Sequence, residues 1–484
     1  MTNLNNQLLP YQKAGVEKLI KLKVGALFME QGTGKTITAL DICRIRLEKR
    51  KINHILWLCP CSVKQGIKKE ILKHANDLIL KNVTLCGIET LSSSIRTNIY
   101  LQKLVIQKKV FLIVDESSLV KNYDTYRTRN IQILANKCTY KLILNGTPIS
   151  KNEADLFSQF YILDWRILGY QSYWSFAASH LKYDEENPKK IIRCLNVEYL
   201  LKKIEPYSYQ IKKQDCMSLP AKIYKTEYFS ITDEQRKHYD DISNQLLFDL
   251  DEINSTTIYR LFTALQAIAC SRRVSIYTDE LCNEHIVSSA FFDDERENPR
   301  LKALTNIIKN EKTIIFCNYT DDITRICNVL NKYSANSAVR FDGTISYKER
   351  NNNISKFSTS ATYLVANRNC ASYSLNLQFC SKIIYYSNSW CLASRLQSED
   401  RVHRIGQSKE VEIIDICANN TIDIRILECL HKKEDLLNIF KNNLKNAANI
   451  STLLQWLRGQ VKKKRYVKIF DCSDLEEYED AQNL

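Results

Sequence analysis

The chain has 484 residues, 44% of them hydrophobic, which is enough to bury the cores of about two to four globular domains. Its 69 lysines and arginines exceed its 54 acidic residues, and this surplus of +15 favours a polyanionic partner such as nucleic acid. The amino terminus is polar and the apolar runs are no longer than a strand. We therefore expect a cytoplasmic or nuclear protein with neither a secretory signal nor a membrane span, and without a membrane partner.

The first predicted elements are a strand, a glycine-containing loop and a helix. Residues 24–28 form a short apolar run typical of a buried strand, and residues 37–47 have the apolar spacing of a helix. Between them, residues 29–36 read MEQGTGKT, a phosphate-binding loop in the context that such a loop requires. Five residues of this loop are predicted to bind ATP: Gly32, Thr33, Gly34, Lys35 and Thr36.

Each of these residue types has a physical task in phosphate binding. Gly32 and Gly34 let backbone N–H groups approach phosphate oxygens. Lys35 can bridge the β- and γ-phosphates, and the Thr36 hydroxyl can be a ligand of Mg²⁺. ATP and Mg²⁺ are therefore the expected cofactors, although Met29 stands where this type of loop usually begins with glycine.

A second strand is predicted to end in two carboxylates. Residues 110–114 are all apolar and run directly into Asp115 and Glu116. A buried parallel strand that ends in this way places its acids at the carboxyl edge of a sheet. Asp115 is then predicted to hold Mg²⁺ through water, and Glu116 to orient and deprotonate the attacking water, a role worth about 10²–10⁴-fold in rate. The alternative is a strand that ends in a charged turn, but it does not explain the phosphate loop upstream.

The distribution of apolar runs along the rest of the chain predicts four segments. The first and the third are expected to have an α/β fold. Strands are sparse between about residues 161 and 295, where helices are expected near residues 200–206, 236–250 and 259–270. A second α/β segment follows, with strands near residues 313–317 and 382–386. The predicted segments are an ATP-binding lobe at 1–160, helical protrusions with a link back to that lobe at 161–295, a second lobe at 296–430, and a helical extension with basic and acidic runs at 431–484.

Residues 397–407, QSEDRVHRIGQ, place Gln397, Arg401 and Arg404 at i, i+4 and i+7. On a helix these side chains share one face, where two guanidinium groups form a clamp for phosphate oxygens. The alternative is a salt-bridged surface helix, because Glu399 and Asp400 lie among the arginines. The phosphate loop has no such arginine of its own, so we predict that Arg401 and Arg404 complete the catalytic site.

Seven stretches in this order resemble the Swi/Snf-type double-stranded DNA translocases of helicase superfamily 2, over about residues 8–428. The resemblance implies two RecA-like lobes with parallel sheets, helical protrusions between them and a short helical carboxyl-terminal extension. Its most specific parts are the arginine stretch and the DE-x-x-x-x-KN box. The seven stretches are residues 9–15, 55–62, 114–122, 142–152, 313–317, 341–343 and 397–407.

The resemblance also implies roles for residues that the pattern alone does not explain. Gln12 resembles the residue that reads adenine, and Gly146, Thr147 and Gln397 resemble residues that couple hydrolysis to movement. The loop at residues 370–377 lacks the glycines that the family has there, so the resemblance does not establish how this loop contacts DNA. The implied DNA contacts are Ser62, Asp342, Gly343, Asn376 and Trp390.

The function expected from the sequence is a DNA-stimulated ATPase that translocates on double-stranded DNA. It would remodel protein–DNA complexes or anneal and migrate branched DNA. We expect a monomeric motor that acts in repair or replication, and the encoding genome could be that of a virus or a phage. One alternative is a strand-separating helicase. An alternative from another class is a structural DNA-binding subunit that uses ATP only as a conformational latch.

Overall fold

The computed structural model divides the chain into a first unit, Met1–Ser218, and a second unit, Leu219–Leu484. The described residues are 7–61, 63–146, 153–183, 191–216, 219–248, 255–278, 284–368, 375, 377–432, 436–446, 450–459 and 466–470.

The first unit is built on a sheet of six parallel strands in the order β3-β2-β4-β5-β1-β8. Its inner strands β2 and β4 are buried along their whole length, as expected for a parallel sheet covered on both faces. A separate antiparallel pair, β6 and β7, lies outside this sheet. The strands are β1 (Val24–Met29), β2 (His54–Cys59), β3 (Val83–Gly87), β4 (Val110–Val114), β5 (Tyr140–Asn145), β6 (Leu181–Tyr183), β7 (Ile191–Cys194) and β8 (Ser208–Ile211).

Helices of the first unit follow most of the strands, so the parallel strands are joined by helical crossovers. Local sequence fixes several helix starts: Pro10 occupies the first turn of the first helix, and the Ser94 and Ser172 hydroxyls cap two others. The helices are α1 (Pro10–Ile20), α2 (Lys35–Glu48), α3 (Lys64–His74), α4 (Asp77–Lys81), α5 (Thr90–Ser93), α6 (Ile95–Gln107), α7 (Tyr126–Ala135), α8 (Asp155–Asp164), α9 (Tyr173–His180), α10 (Val197–Ile204) and α11 (Lys213–Cys216).

The second unit has its own sheet in the order β13-β14-β12-β15-β16-β9-β17. All neighbours pair in parallel except β17, which runs antiparallel to β9, and β10 and β11 form a separate hairpin. The strands are β9 (Lys222–Phe229), β10 (Arg272–Thr278), β11 (Glu284–Ala290), β12 (Thr313–Cys317), β13 (Ala338–Phe341), β14 (Tyr363–Asn367), β15 (Lys382–Tyr385), β16 (Val411–Ala418) and β17 (Tyr466–Phe470).

Five helices of the second unit, the first two and the last three in chain order, share one apolar core that includes Phe262 and Phe440. The helices are α12 (Asp233–Phe248), α13 (Ser255–Ala269), α14 (Pro299–Ile307), α15 (Thr320–Tyr333), α16 (Tyr347–Thr359), α17 (Leu392–Glu399), α18 (Ile422–Lys432), α19 (Leu436–Asn446) and α20 (Ile450–Arg458). Among the described residues, none of these or the other helices has the length and apolar character needed to cross a membrane.

The predicted fold class is confirmed, because each unit contains a parallel sheet of at least six strands covered by helices. The segment predicted at 161–295 is divided differently: the boundary between the units falls after Ser218. The structure also places six strands in this segment, of which β8 joins the first sheet and β9 the second. Most residues of β8 and β9 are only half-buried, so these strands lack the continuous apolar run that identifies the inner strands.

A buried ion pair ties the second unit's helices to its sheet. The Arg300 side chain is fully buried and pairs with the carboxylate of Asp423. The same guanidinium donates hydrogen bonds to the carbonyl oxygens of Ala269, Tyr386 and Ile416. Burial by itself would lower the pKa of Arg300, but the Asp423 charge outweighs it and raises that pKa. One residue of α14 therefore contacts α13, β16, α18 and the residue that follows β15.

The substitution Asp423→Asn should strongly destabilise the second unit. It leaves the Arg300 charge buried without a counter-ion, and such losses cost about 3–5 kcal/mol. Urea denaturation of the full chain, followed by circular dichroism, measures the effect. Asp294→Asn is the matched control, because it breaks a pair with Arg296, whose side chain is 89% exposed, and should change the midpoint little. Equal midpoints for the two variants would contradict this assignment.

Candidate functional site

The phosphate loop connects the carboxyl end of β1 to the amino terminus of α2. Gly32 and Gly34 have φ angles of 85° and 93°, in the left-handed region that favours glycine. A Cβ atom on Gly34 would also clash with Nε2 of Gln12. The loop therefore needs glycine at this position, and the free N–H groups at the start of α2 are suited to bind an anion.

Gln12 lies beneath this loop and is bonded to its main chain. The side chain is buried, and its Nε2 donates to the carbonyl oxygen of Thr33 at 2.9 Å while its Oε1 accepts from the Leu9 N–H at 2.9 Å. The Tyr11 hydroxyl donates to the same Thr33 oxygen at 3.0 Å. These contacts assign Gln12 a role in fixing the loop, and the contact with adenine stays a prediction.

Lys35 reaches back across the loop, and its Nζ donates to the carbonyl oxygen of Met29 at 2.7 Å. The Gly146 backbone lies close by, since a Cβ built there would be 3.5 Å from Lys35 Nζ. Thr36 follows in the first turn of α2 and is half-buried. The structure thus brings together Lys35 and Gly146, which the sequence places more than a hundred residues apart.

Asp115 and Glu116 stand at the end of β4. The Asp115 carboxylate is 5% exposed and accepts hydrogen bonds from the Glu116 N–H at 3.0 Å and from Trp57 Nε1 at 3.4 Å. Burial and the Glu116 charge raise the pKa of Asp115 to about 7, while Lys35 opposes the shift. Glu116 has a φ of 50°, a left-handed conformation that is uncommon outside glycine and that recurs at functional sites.

The sheet topology explains why these groups meet. Strands β4, β5 and β1 are neighbours in this order, and parallel strands end at the same edge. Their carboxyl ends carry Asp115, Gly146 and the phosphate loop, respectively. The predicted nucleotide site therefore occupies one edge of the first sheet.

The oxygen atoms at this edge fit Mg²⁺. The Thr36 hydroxyl and the Asp115 carboxylate are the hard donors that this ion prefers, and a buried carboxylate gains from a cation. Within the described part of the chain, no group of three or more His, Cys, Asp or Glu side chains is arranged to hold a metal.

Three predicted residues, Ser62, Thr147 and Asn376, lie outside the described residues, as does most of the loop at 370–377. Of the other predicted DNA contacts, Asp342 and Gly343 form the turn after β13. The Asp342 carboxylate is buried and accepts from Arg340 Nε and from the Thr344 N–H, each at 2.8 Å. Asp342 therefore organises this turn, while Gly343 is exposed to solvent.

Trp390 is half-buried against α13. Its ring stacks on Tyr259 with 6.2 Å between the ring centroids and meets Phe262 edge-on at the same separation. These contacts attach the segment before α17 to the helical core of the second unit.

The prediction that Gln397, Arg401 and Arg404 share one helical face is wrong. Helix α17 ends at Glu399, so Gln397 is helical, whereas both arginines lie in the turns that follow. Tertiary contacts hold these turns: the carbonyl oxygen of Arg401 accepts from the Leu377 N–H at 3.1 Å. Farther along, the Gln407 side chain donates to the Cys380 carbonyl oxygen at 2.8 Å. We call residues 400–407 the arginine turn.

The arginine turn is anchored to the first residues of the second unit. His403 Nε2 donates to the carbonyl oxygen of Pro220 at 2.8 Å. At the end of α17, the Glu399 carboxylate accepts from Lys222 Nζ at 2.9 Å and from the Tyr224 hydroxyl at 2.7 Å. Residues 220–224 at the start of β9 thus fix both ends of the segment that presents Arg401.

Arg395 completes a buried charge network that the sequence did not reveal. Its guanidinium bonds Glu399 at 2.7 Å and Asp415 at 2.5 Å, and it lies 3.5 Å from the ring centroid of Tyr385. Burial by itself would raise the pKa of Glu399, but Lys222 and Arg395 outweigh it and hold that pKa at about 2. The only local signal is the i, i+4 spacing of Arg395 and Glu399, because the other partners are distant in sequence.

Two family models match the chain. The SNF2-related domain matches residues 11–274, more than half of the chain, and the helicase conserved C-terminal domain matches residues 299–406. The boundary between these matches lies within the second unit, so both models contribute to it.

Similar proteins include helicases and remodelling ATPases. An uncharacterized ATP-dependent helicase of Mycoplasma genitalium is 28% identical over 90% of this chain and 42% of its own length. The ISWI chromatin-remodeling complex ATPase CHR17 of Arabidopsis thaliana is 24% identical over 94% of this chain and 44% of its own length. The chain therefore spans less than half the length of these curated relatives. The Sulfolobus solfataricus SWI2/SNF2 ATPase core, solved in complex with dsDNA, is 22% identical, covers 95% of this chain and 98% of its own, and has a TM-score of 0.39.

The substitution Glu399→Gln should destabilise the arginine turn in a manner that depends on pH. It removes a buried negative charge beside Lys222 and Arg395, at a cost of about 3–5 kcal/mol at pH 7. Because the folded pKa of about 2 lies below the ordinary value of 4.5, this stabilisation is complete above pH 4.5 and is lost as the pH falls toward 2.

Urea denaturation of wild type and Glu399→Gln between pH 7 and pH 3 tests this prediction. The difference in unfolding free energy should shrink below pH 4.5. The double variant Lys222→Met/Glu399→Gln should lose less than the sum of the two single variants, because the partners interact. A difference that is constant over the whole range would contradict the assigned pKa.

Proposed function

The chain belongs to the SNF2-related family of helicase-type ATP hydrolases, and we propose that it is a DNA-dependent ATPase that translocates on double-stranded DNA. The observation that carries this proposal is the carboxyl edge of the first sheet, where the phosphate loop lies with Asp115 and Gly146. Hydrolysis needs a phosphate cradle, a metal-binding carboxylate and a base for water, and this edge offers a residue for each.

In the proposed site, the loop from Gly32 to Thr36 binds the phosphates through backbone N–H groups and Lys35. Thr36 and Asp115 hold Mg²⁺, which neutralises charge on the phosphates when it is bound. Glu116 follows the end of β4 in a left-handed backbone conformation, and the proposal assigns its carboxylate to orienting and deprotonating the attacking water.

The proposal assigns Arg401 and Arg404 to the charge that develops on the transferring phosphoryl group, an effect of about 10³–10⁵-fold for arginine fingers in general. What supports this is the rigidity of the arginine turn, since Glu399 and His403 are hydrogen-bonded to the start of β9. A guanidinium that is held in position in advance stabilises a transition state more effectively, because little reorganisation is needed during the reaction. Gln397 lies in the last turn of α17, before the arginine turn, and is assigned to the coupling between hydrolysis and movement.

The proposed DNA partner rests on the net charge of +15 and on the family. Two relatives are the chromatin-remodeling complex ATPase CHR17 and the TATA-binding protein-associated factor MOT1 of Saccharomyces cerevisiae, which favours work on protein–DNA complexes. Branched DNA is the second proposed substrate, and we propose a monomeric motor in repair or replication.

A strand-separating helicase is the alternative that the Mycoplasma relatives favour, because two of them are named ATP-dependent helicases. Strand displacement from a forked duplex distinguishes it from a translocase, which would hydrolyse ATP on the same fork without releasing a strand.

The substitution Glu116→Gln should lower kcat for ATP hydrolysis by about 10²–10⁴-fold and leave KM for ATP nearly unchanged, because it removes the base and keeps the binding groups. Phosphate release in the presence of duplex DNA measures both constants. Glu17→Gln is the matched control, since Glu17 is an exposed carboxylate on α1 of the same unit. Similar rates for the two variants would remove Glu116 from the catalytic role.

Duplex DNA should stimulate ATP hydrolysis by the wild-type chain more than single-stranded DNA or RNA of the same length. Phosphate release across the three nucleic acids measures this preference. The same rate with RNA as with duplex DNA would overturn the DNA assignment. Nucleotide binding without turnover on any nucleic acid would favour a structural subunit that uses ATP as a latch.

A further inference from the structure

Arg368 follows β14 at the carboxyl edge of the second sheet. The sequence pattern did not predict a role for this residue. Its side chain is only 5% exposed. Nε donates to the Ser394 hydroxyl of α17 at 3.0 Å, which fixes the plane of the guanidinium. Nη1 is buried and has no hydrogen-bond partner among the described residues. One edge of the guanidinium is therefore held, while the other has an unused buried donor.

The carboxylates near this edge are already engaged. Glu399 is bonded by Arg395, Lys222 and Tyr224, and Asp415 is bonded by Arg395 and by Asn388. Within the described ranges, Arg368 forms no ion pair with any acidic side chain. Burial lowers the pKa of Arg368 to about 10, and the nearby charge of Arg395 adds to this effect.

A buried guanidinium without a counter-ion is unfavourable, because the desolvation of its charge is not offset. Arg300 and Arg395 are each paired with at least one buried carboxylate. The buried guanidinium of Arg46 instead donates to the carbonyl oxygens of Leu19 and Leu22. Among the described residues Arg368 has no carboxylate partner, and it lies at the sheet edge where α/β proteins bind ligands. The missing counter-charge is what an anionic ligand would supply.

We propose that Arg368 anchors a phosphate oxyanion, supplied either by a nucleic-acid backbone or by a nucleotide. The planar guanidinium presents parallel N–H donors that match two oxygen atoms of a phosphate group. The ammonium group of a lysine, which acts as a point charge, offers no such match. The hydrogen bond to Ser394 presets the orientation, so little conformational freedom is lost on binding. The biological source of the phosphate rests on the proposed function, whereas the oxyanion site itself can be probed with pyrophosphate alone.

The test uses the full chain with Arg368→Gln, Arg368→Lys and the control Arg296→Gln. The control removes the same charge from the same unit at a position whose side chain is 89% exposed. Affinity for duplex DNA is measured over a range of KCl concentrations, and affinity for ATP is measured without DNA.

If the backbone of DNA supplies the phosphate, Arg368→Gln weakens DNA binding about 10- to 100-fold, as for the loss of a charge-assisted hydrogen bond. The slope of log K against log[KCl] then decreases in magnitude by about 0.9, the value for one phosphate contact. If a nucleotide supplies it, the loss appears in ATP affinity and the DNA slope stays at the wild-type value. The Arg368→Lys variant should retain part of the affinity in either case, because lysine keeps the positive charge but lacks the parallel N–H donors of the guanidinium.

Thermal unfolding with and without pyrophosphate separates ligand binding from a structural role. Without ligand, Arg368→Gln should be at least as stable as wild type, because an uncompensated buried charge is removed. Pyrophosphate should raise the Tm of wild type and of Arg296→Gln but not that of Arg368→Gln. A lower Tm without ligand, together with unchanged DNA, ATP and pyrophosphate binding, would overturn the proposal.

The two proposals fail in different ways. If the wild-type chain shows no DNA-stimulated hydrolysis, the proposed function fails, while the pyrophosphate result still decides the oxyanion site. If the wild type is active and Arg368→Gln behaves as Arg296→Gln in every assay, only the assignment of Arg368 fails.

Discussion

In the first sheet, burial of the inner parallel strands on both faces leaves the charged groups of the candidate site at the ends of the strands. Residues of β4 from Val110 to Val114 are all buried, so the first positions that can hold charge are Asp115 and Glu116. In the second sheet, Arg368 likewise lies directly after β14, whereas Asp415 lies within β16 and is paired there with Arg395. Because parallel strands end at one edge, residues distant in sequence become neighbours there, and each unit gains a place where a ligand can bind.

Charged groups at such an edge need partners, and the two units meet this need differently. In the first unit, Lys35 lies close enough to Asp115 to oppose the rise in its pKa, and a bound cation would complete the balance. In the second unit, Arg395 and Glu399 neutralise each other and fix the end of α17. Such pairs contribute little net stability, yet they specify one geometry, which suits a segment that must present an arginine.

The sequence predicted the phosphate loop, the inner strands and the helices near 200–206, 236–250 and 259–270, because each carries a strong local pattern. It missed strands such as β8 and β9, whose half-buried residues alternate weakly. It also extended α17 through the arginine turn. The spacing of Arg401 and Arg404 is compatible with a helix, but hydrogen bonds to residues far along the chain hold the backbone in turns.

The sequence by itself determined the class of fold and the family that the family models match, and it predicted which residues bind phosphate and metal. Only the tertiary structure decided that the arginine turn is anchored to Pro220, that Gln12 supports the phosphate loop, and that Arg368 is buried with no carboxylate partner among the described residues. The reason is physical. Residue type and periodicity are local properties, whereas burial and the supply of counter-charges depend on residues that only folding brings together.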